Sequence, residues 1–266
     1  MATFYSKTWR TAKYQLAAVL FIFAAGLLFA DDDAAKKTFA QRAEDEFHRA
    51  QAKTQSDTND ATAAWQFARA CYDWADFAKN DKERAAIANQ GIAACRPLIA
   101  RGLKLAAAHY YLAMNLGQLA RTESVGALKL VKEMEYEFKL ASGMDERFDY
   151  AGPARNLGLL YREAPTWPIS IGSGRQARDW LEHAAALAPD YPENLLNLTE
   201  SYLKWRKRAE ASDELKKLDE LWPKAQTNLT GAAWEQSWAD WTARRDAARK
   251  ALGEPFPSAK SPKNSP

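Results

Sequence analysis

A chain of 266 residues, 47% hydrophobic and 27% charged, has an ordinary globular composition and enough length to bury one large core or two small ones. Its formal charge of +3 comes from Lys7, Arg10 and Lys13; beyond them 34 basic residues face 34 acidic ones, which excludes a net basic drive toward nucleic acid or anionic lipid. Ala, Trp and Tyr are frequent while Gly and Pro gather in a few short stretches, so the composition predicts an all-α protein.

The N-terminus carries those three cations, then the apolar run Leu16 to Phe29, then Ala30 before Asp31, Asp32 and Asp33. That order predicts a secretory signal peptide over 1–30, cut after Ala30. The alternative is a retained anchor, but 14 apolar residues fall short of the roughly 20 that span a bilayer. The mature chain is therefore expected to be periplasmic or otherwise exported, with no stable membrane insertion.

Ala43, Phe47 and Ala50 suggest a lone leading helix. Trp65, Ala68, Arg69 and Tyr72 open the next pair, whose second helix starts at the capping pair Asn80 and Glu83 and closes at Pro97. Cys71 and Cys95 would then stand roughly 9 Å apart along two antiparallel helices, before the gap between helices is added. A disulfide needs Cα atoms within about 7 Å, so two inert buried thiols are expected. His109, Leu112, Ala113 and Leu116 open another pair, its second helix running from about Val125 to Leu140. Glu133, Glu135 and Glu137 on that helix read as a solvated face.

From Leu157 the spacing sharpens into an internal repeat. Leu157, Gly158 and Tyr161, then Ala177, Leu181, Ala184 and Pro189, are followed by Leu195, Leu198, Thr199, Tyr202, Ala211, Leu215, Leu218 and Pro223. Pro189 to Pro223 is 34 residues. Small residues at Gly158, Thr199, Ala177 and Ala211 let the helices of a hairpin approach, and proline after each second helix ends it. The last helix, about Gly231 to Leu252 with Thr230 as N-cap, sets Trp234, Trp238 and Trp241 on one face, which reads as a cap rather than a ligand box. Residues 253–266, rich in Pro, Ser and Lys, read as a disordered tail.

The stretch from about Phe39 to Leu252 resembles the tetratricopeptide-repeat (TPR) superfamily. The implied fold is a right-handed superhelix of antiparallel hairpins over 31–252 with a C-terminal capping helix. Within it, "YYLAMNLGQLA" from Tyr110 and the run from Gly152 to Leu203 resemble the T-component proteins of TRAP-type solute transporters. "AAWQFARACYDWADFA" from Ala63 is more loosely similar to the regulator of microtubule dynamics family. The T-component resemblance implies a periplasmic partner of a solute-binding protein, holding a hydrophobic ligand in a central passage; beside a protein partner, a small hydrophobic or acidic ligand is the other partner considered. No lipidation cysteine follows the signal, a departure from that group.

No catalytic constellation is found. His48, His109 and His183 lack a second ligand at metal spacing, "EHAAA" lacks the second histidine of a zinc helix, and "GSG" at 172–174 follows no predicted strand. No metal, cofactor or catalytic residue is assigned.

Binding is expected on the first helix of each pair. Offsets from each repeat's starting residue give Gln66, Ala70 and Asp73; Tyr110, Met114 and Gly117; Arg155, Leu159 and Arg162; Leu196, Glu200 and Leu203. Trp74, Asn115, Asn156 and Asn197 lie one place further on. The candidate set is Tyr110, Met114, Asn115, Arg155, Leu159, Arg162, Trp167, Asn197 and Glu200. Tyr110 and Met114 can equally be packing. Arg155 and Arg162 can pair with Asp149 and Glu163, or hold a carboxylate together. Between Tyr161 and Ala177 the stretch "APTWPISIGSGRQ" enlarges one hairpin turn by seven residues, with Ser173 and Gln176 opening the next helix. Packing of Trp167 against the array is favoured over ligand contact. The leading expectation is an exported, non-catalytic scaffold that binds a protein partner; the alternative is a transport accessory.

Overall fold

The structure is a computed structural model that describes residues 32–123 and 126–253. The segment read as a signal peptide, and all of the expected tail except Gly253, lie outside the described residues. Ten α-helices are present among the described residues: α1 (Asp32–Ser56), α2 (Ala61–Ala75), α3 (Asp81–Ala100), α4 (Ala106–Ala120), α5 (Ala127–Met144), α6 (Phe148–Glu163), α7 (Gly174–Leu187), α8 (Pro192–Lys204), α9 (Arg208–Asn228) and α10 (Glu235–Leu252). The chain divides between Ala188 and Pro189 into two compact units, at the proline of the repeat pattern and not at the irregular stretch 164–176.

Local chemistry sets the helix starts. Asp60 accepts from the backbone N–H groups of Thr62 and Ala63, Asn80 from that of Glu83 at 3.0 Å, and Ser173 from that of Gln176 at 3.3 Å. Each satisfies donors that the first turn leaves unpaired. Stops differ from expectation. Pro189 follows α7, but Pro97 and Pro223 sit inside α3 and α9, which run on to Ala100 and Asn228. Nor does α10 start after Thr230: a 3-10 turn, Ala232–Trp234, precedes it. That turn carries Trp234 onto Tyr191 and Trp241, at ring separations of 6.3 and 6.0 Å.

In the first unit α1 precedes the hairpins α2/α3, α4/α5 and α6/α7. Phe47 and Ala50 of α1 are buried, with Phe47 against Phe67 at 5.5 Å. The hairpins are tight where the repeat places small residues: a Cβ on Gly158 would come within 2.5 Å of Leu181 Cγ and 3.0 Å of its backbone nitrogen. Leu181 is 1% exposed, a burial that contributes roughly 2 kcal/mol. Cys71 and Cys95 are free and buried in this core. The first helices α2 and α4 pack directly on one another, whereas α3 and α5 have little close backbone contact and are bridged by Arg96 and Glu133, 3.0 Å apart. That asymmetry curves the unit with its first helices inside.

One expectation for α5 fails. Glu133, Glu135 and Glu137 are not a solvated face: Glu133 pairs with Arg96, Glu135 accepts from Lys139 and from the Tyr161 hydroxyl, and Glu137 is buried 2.5 Å from His109 Nδ1. Each alternating carboxylate has found a partner on a different side of the helix.

In the second unit α8 and α9 form the last hairpin, and α10 packs on both. Thr199 and Ala211 are fully buried between them, as their small size in the repeat requires. Trp241 is 2% exposed and touches Tyr191 and Trp238 edge-on at 5.3 and 5.1 Å, while Trp238 meets Trp222 at 5.1 Å. The tryptophans of α10 are thus a cap.

Candidate binding surface

The inner face of the first unit is built from α2, α4 and the start of α6. Trp65, Arg69 and Asp73 stand one helical turn apart on α2 and share one stripe. Trp65 lies parallel to Tyr111 of α4, 5.8 Å between rings, and Phe148 closes edge-on against Trp65, Tyr110 and Tyr111 at 6.4, 5.3 and 6.1 Å. These offset and edge contacts make a rigid aromatic wall.

A backbone feature braces the wall. Asp149, Tyr150 and Ala151 adopt φ of 50, 56 and 62°, a left-handed turn that precedes the regular part of α6. Side-chain-bearing residues in that region cost roughly 1–2 kcal/mol each, so something must hold them. Asp149 Oδ2 accepts from the Tyr110 hydroxyl at 2.7 Å and from Arg155 Nη2 at 3.1 Å. Arg155 also donates to the carbonyls of Asp149 and Tyr150, at 3.3 and 3.1 Å. Asn156 donates to the Tyr110 oxygen at 3.0 Å. Gly152 is required here, since a Cβ would fall 2.7 Å from that oxygen. Burial pushes the Tyr110 phenol well above its ordinary range, and neighbouring Asp149 adds to it, so Tyr110 acts as a neutral donor.

Along α2, Arg69 and Asp73 remain accessible, with side chains 60% and 48% exposed, and they face each other at 3.7 Å. Although water reaches Asp73, the curved walls displace much of its solvation. Its carboxyl is pushed up to about 6 by desolvation; Arg69 opposes this, while Asp76, Asp149 and Glu46 reinforce it. Asp76, nearby, accepts from Gln118 and Arg121, each at 2.9 Å. Desolvation raises its carboxyl too, against those bonds.

Most sequence candidates are ties within this frame. Helix α4 is buried from Ala107 to Gln118, and α6 from Ala151 to Glu163, so both are covered round most of their circumference. Tyr110 belongs to the clasp on Asp149. Met114 and Leu159 are each 8% exposed. Asn115, fully buried, joins α4 to α2 by donating to the Ala68 carbonyl at 2.8 Å. Arg155 and Arg162 do not share a guest carboxylate: Arg155 pairs with Asp149, and Arg162 with Glu163 at 2.6 Å. Asn197 and Glu200, in the second unit, both accept from Arg244 of α10, at 2.6 and 2.7 Å. Burial works against the charged Arg244, but Glu200, Asp240 and Glu193 outweigh it and hold the guanidinium above its usual range.

Trp167 corrects the packing expectation: it is 84% exposed, and Ile169 is 59% exposed. The turn satisfies itself through backbone bonds from Gly172 to Pro165 and from Ser173 to Tyr161, both 2.9 Å, with Ser170 and Gly172 turned inward instead. An open depression in the second unit, lined by Gln226, Leu229, Thr230, Gly231, Glu235 and Trp238, includes none of the nine candidates.

Offset counting names Asp73 but selects Gln66 and Ala70 where the structure presents Trp65 and Arg69, one residue earlier. Ala70 is only 2% exposed. Tyr111, Phe148 and Asp149 escape it altogether. The spacing of Trp65, Arg69 and Asp73 at four-residue steps was the usable signal; the left-handed turn has none, because no glycine marks it.

Comparison with known proteins places these observations. Residues 27–143 match the family model described as regulator of microtubule dynamics protein 1-3, which falls on the looser of the two resemblances read from the sequence. No curated protein matches. Among solved structures, a thermophilic TPR protein of Thermus thermophilus is similar at a TM-score of 0.57 and 18% identity, over 89% of this chain and 98% of that one. The likeness shows the fold: an all-α, TPR-like helical repeat.

Proposed function

We propose that this chain is an exported, non-catalytic scaffold that holds a protein segment against the inner face of its first unit, along Trp65, Arg69 and Asp73. A TPR-like fold is compatible with an interaction role in general, and the observation that carries the location is the contrast within one face. The residues of α4 and α6 are consumed in internal ties, while an accessible charged stripe of α2 is presented beside a wall that the Tyr110, Asp149 and Arg155 clasp makes rigid. A preformed surface loses little entropy on binding. The order of charges and apolar residues before Ala30 supports export.

Photo-crosslinking tests the location. With benzoylphenylalanine at position 69 or at position 96 on the opposite face, discrete protein adducts are expected from 69 and not from 96. Adducts from both faces alike, or only from 96, would sink the assignment. Intact mass of the chain recovered from its own host is expected to begin at Asp31; a mass that includes residues 1–30 would refute cleavage.

A further inference from the structure

The inner stripe is not neutral in what it would accept. Four carboxylates, Glu46, Asp73, Asp76 and Asp149, meet in the region around Asp73, and the structure commits three of them elsewhere: Glu46 is paired with Arg49 of α1. Asp76 is bound by Gln118 and Arg121, and Asp149 by Tyr110 and Arg155. Asp73 has the least complete arrangement. Its ion pair with Arg69 spans 3.7 Å between two half-exposed side chains, long for a charge-assisted hydrogen bond, and Arg69 can swing away on a flexible stem. An anionic guest reaching Arg69 would meet Asp73 and Asp149 beside it. A cationic guest would complete the coordination of Asp73, and the partly exposed Trp65 lies on the same stripe two helical turns away, about 12 Å along α2.

Resting on the scaffold reading above, we infer that the segment held by the inner face carries a lysine or arginine side chain that pairs with the Asp73 carboxylate and, three or four residues along its extended backbone, an apolar side chain seated on Trp65. The partner is thus a basic, partly apolar protein segment, and acidic segments are rejected. The pH response follows from the groups facing Asp73: Arg69 on its own helix, Asp76 at that helix's end, Glu46 from α1, the neutral Tyr111 phenol from α4 and Asp149 from α6. Because the ionised carboxylate is the receptor and its carboxyl sits near 6, affinity is full above that pH and declines as pH falls through it.

A random twelve-residue peptide library displayed on phage and panned at pH 7.5 against the full-length chain tests this. The expected consensus has Lys or Arg three or four residues from an apolar residue. Synthetic winners should bind about tenfold more weakly to Asp73→Asn, normally to Asp73→Glu, and normally to an Asp190→Asn control in the second unit. The wild-type chain should lose about tenfold between pH 7.5 and 5, and Asp73→Asn should show no such loss. An acidic consensus, or a basic one indifferent to Asp73→Asn, would overturn the cationic assignment. If adducts still form at position 69 in that case, the scaffold reading stands without it; if no peptide is enriched and position 69 captures nothing, both fall.

Discussion

The two units treat equivalent first-helix positions in opposite ways. Asn115, Asn156 and Asn197 recur at 41-residue steps. In the first unit Asn115 ties α4 to the Ala68 carbonyl and Asn156 supports the Tyr110 oxygen, so the polar ladder is spent on joining first helices and the accessible stripe is left on α2. In the second unit Asn197 and Glu200 are taken by Arg244, a residue of the last helix. An open face and a plugged one arise from the same repeat, and what decides is whether α10 supplies a guanidinium. A position shared between repeats therefore does not imply a shared role.

The sharpest way to break the contrast is to remove the cap. Trp241 is 2% exposed and ringed by Tyr191, Trp234 and Trp238, so Trp241→Ala should cost about 3–5 kcal/mol of second-unit stability. Hydrogen exchange followed by mass spectrometry should show lost protection in α8 to α10 while α2 to α7 keep theirs. Uniform loss across both units would mean that the division at Ala188 has no energetic counterpart.

Arg244→Met comes next, at about 3 kcal/mol, because it removes the largely buried guanidinium that Glu200, Asp240 and Glu193 share and leaves Glu200 without its ion-pair partner. The double variant with Glu200→Gln should recover part of that loss in urea melts. If the two changes simply add, the plug is packing and not charge.

How much of this was readable beforehand follows from the same contrast. The hairpins were legible because Gly158, Ala177, Thr199 and Ala211 are small for a steric reason that spacing exposes. Caps at Asn80 and Ser173 were legible because a polar side chain ahead of a helix has one common use. Helix ends were less so: Pro97 and Pro223 each remove a backbone donor and crowd the preceding turn, yet α3 and α9 run past them to Ala100 and Asn228. The ion pairs Arg155 with Asp149 and Arg162 with Glu163 were among the open alternatives, but choosing them required knowing that α6 is covered on nearly all sides. Nothing in "RFDYAGP" announces three left-handed residues, since their φ values are imposed by tertiary bonds to Tyr110 and Arg155. Exposure of Trp167 was misjudged because side-chain type alone argued for burial, while the turn closed on its own backbone and left the indole outside.

The smallest expected effect bears on whether the open face is kept open at a cost. An acid whose carboxyl is raised on folding, here to about 6 from an ordinary value near 4, binds more protons folded than unfolded between those pH values. Stability must then decline as pH rises through that window, and the ionised form of Asp73 is unfavourable to the fold above it. Asp73→Asn removes the penalty, so the variant should be more stable than the parent at pH 7.5 and equal to it near pH 4. With the side chain about half exposed, solvent screening limits the gain to less than about 1 kcal/mol. Paired thermal melts at the two pH values measure it. A variant stabilised equally at both would trace the gain to something other than charge, and one destabilised at pH 7.5 would show that the Arg69 pair holds the fold together. A gain confined to neutral pH would mark Asp73 as a residue the first unit carries against its own stability, as a surface reserved for a partner would.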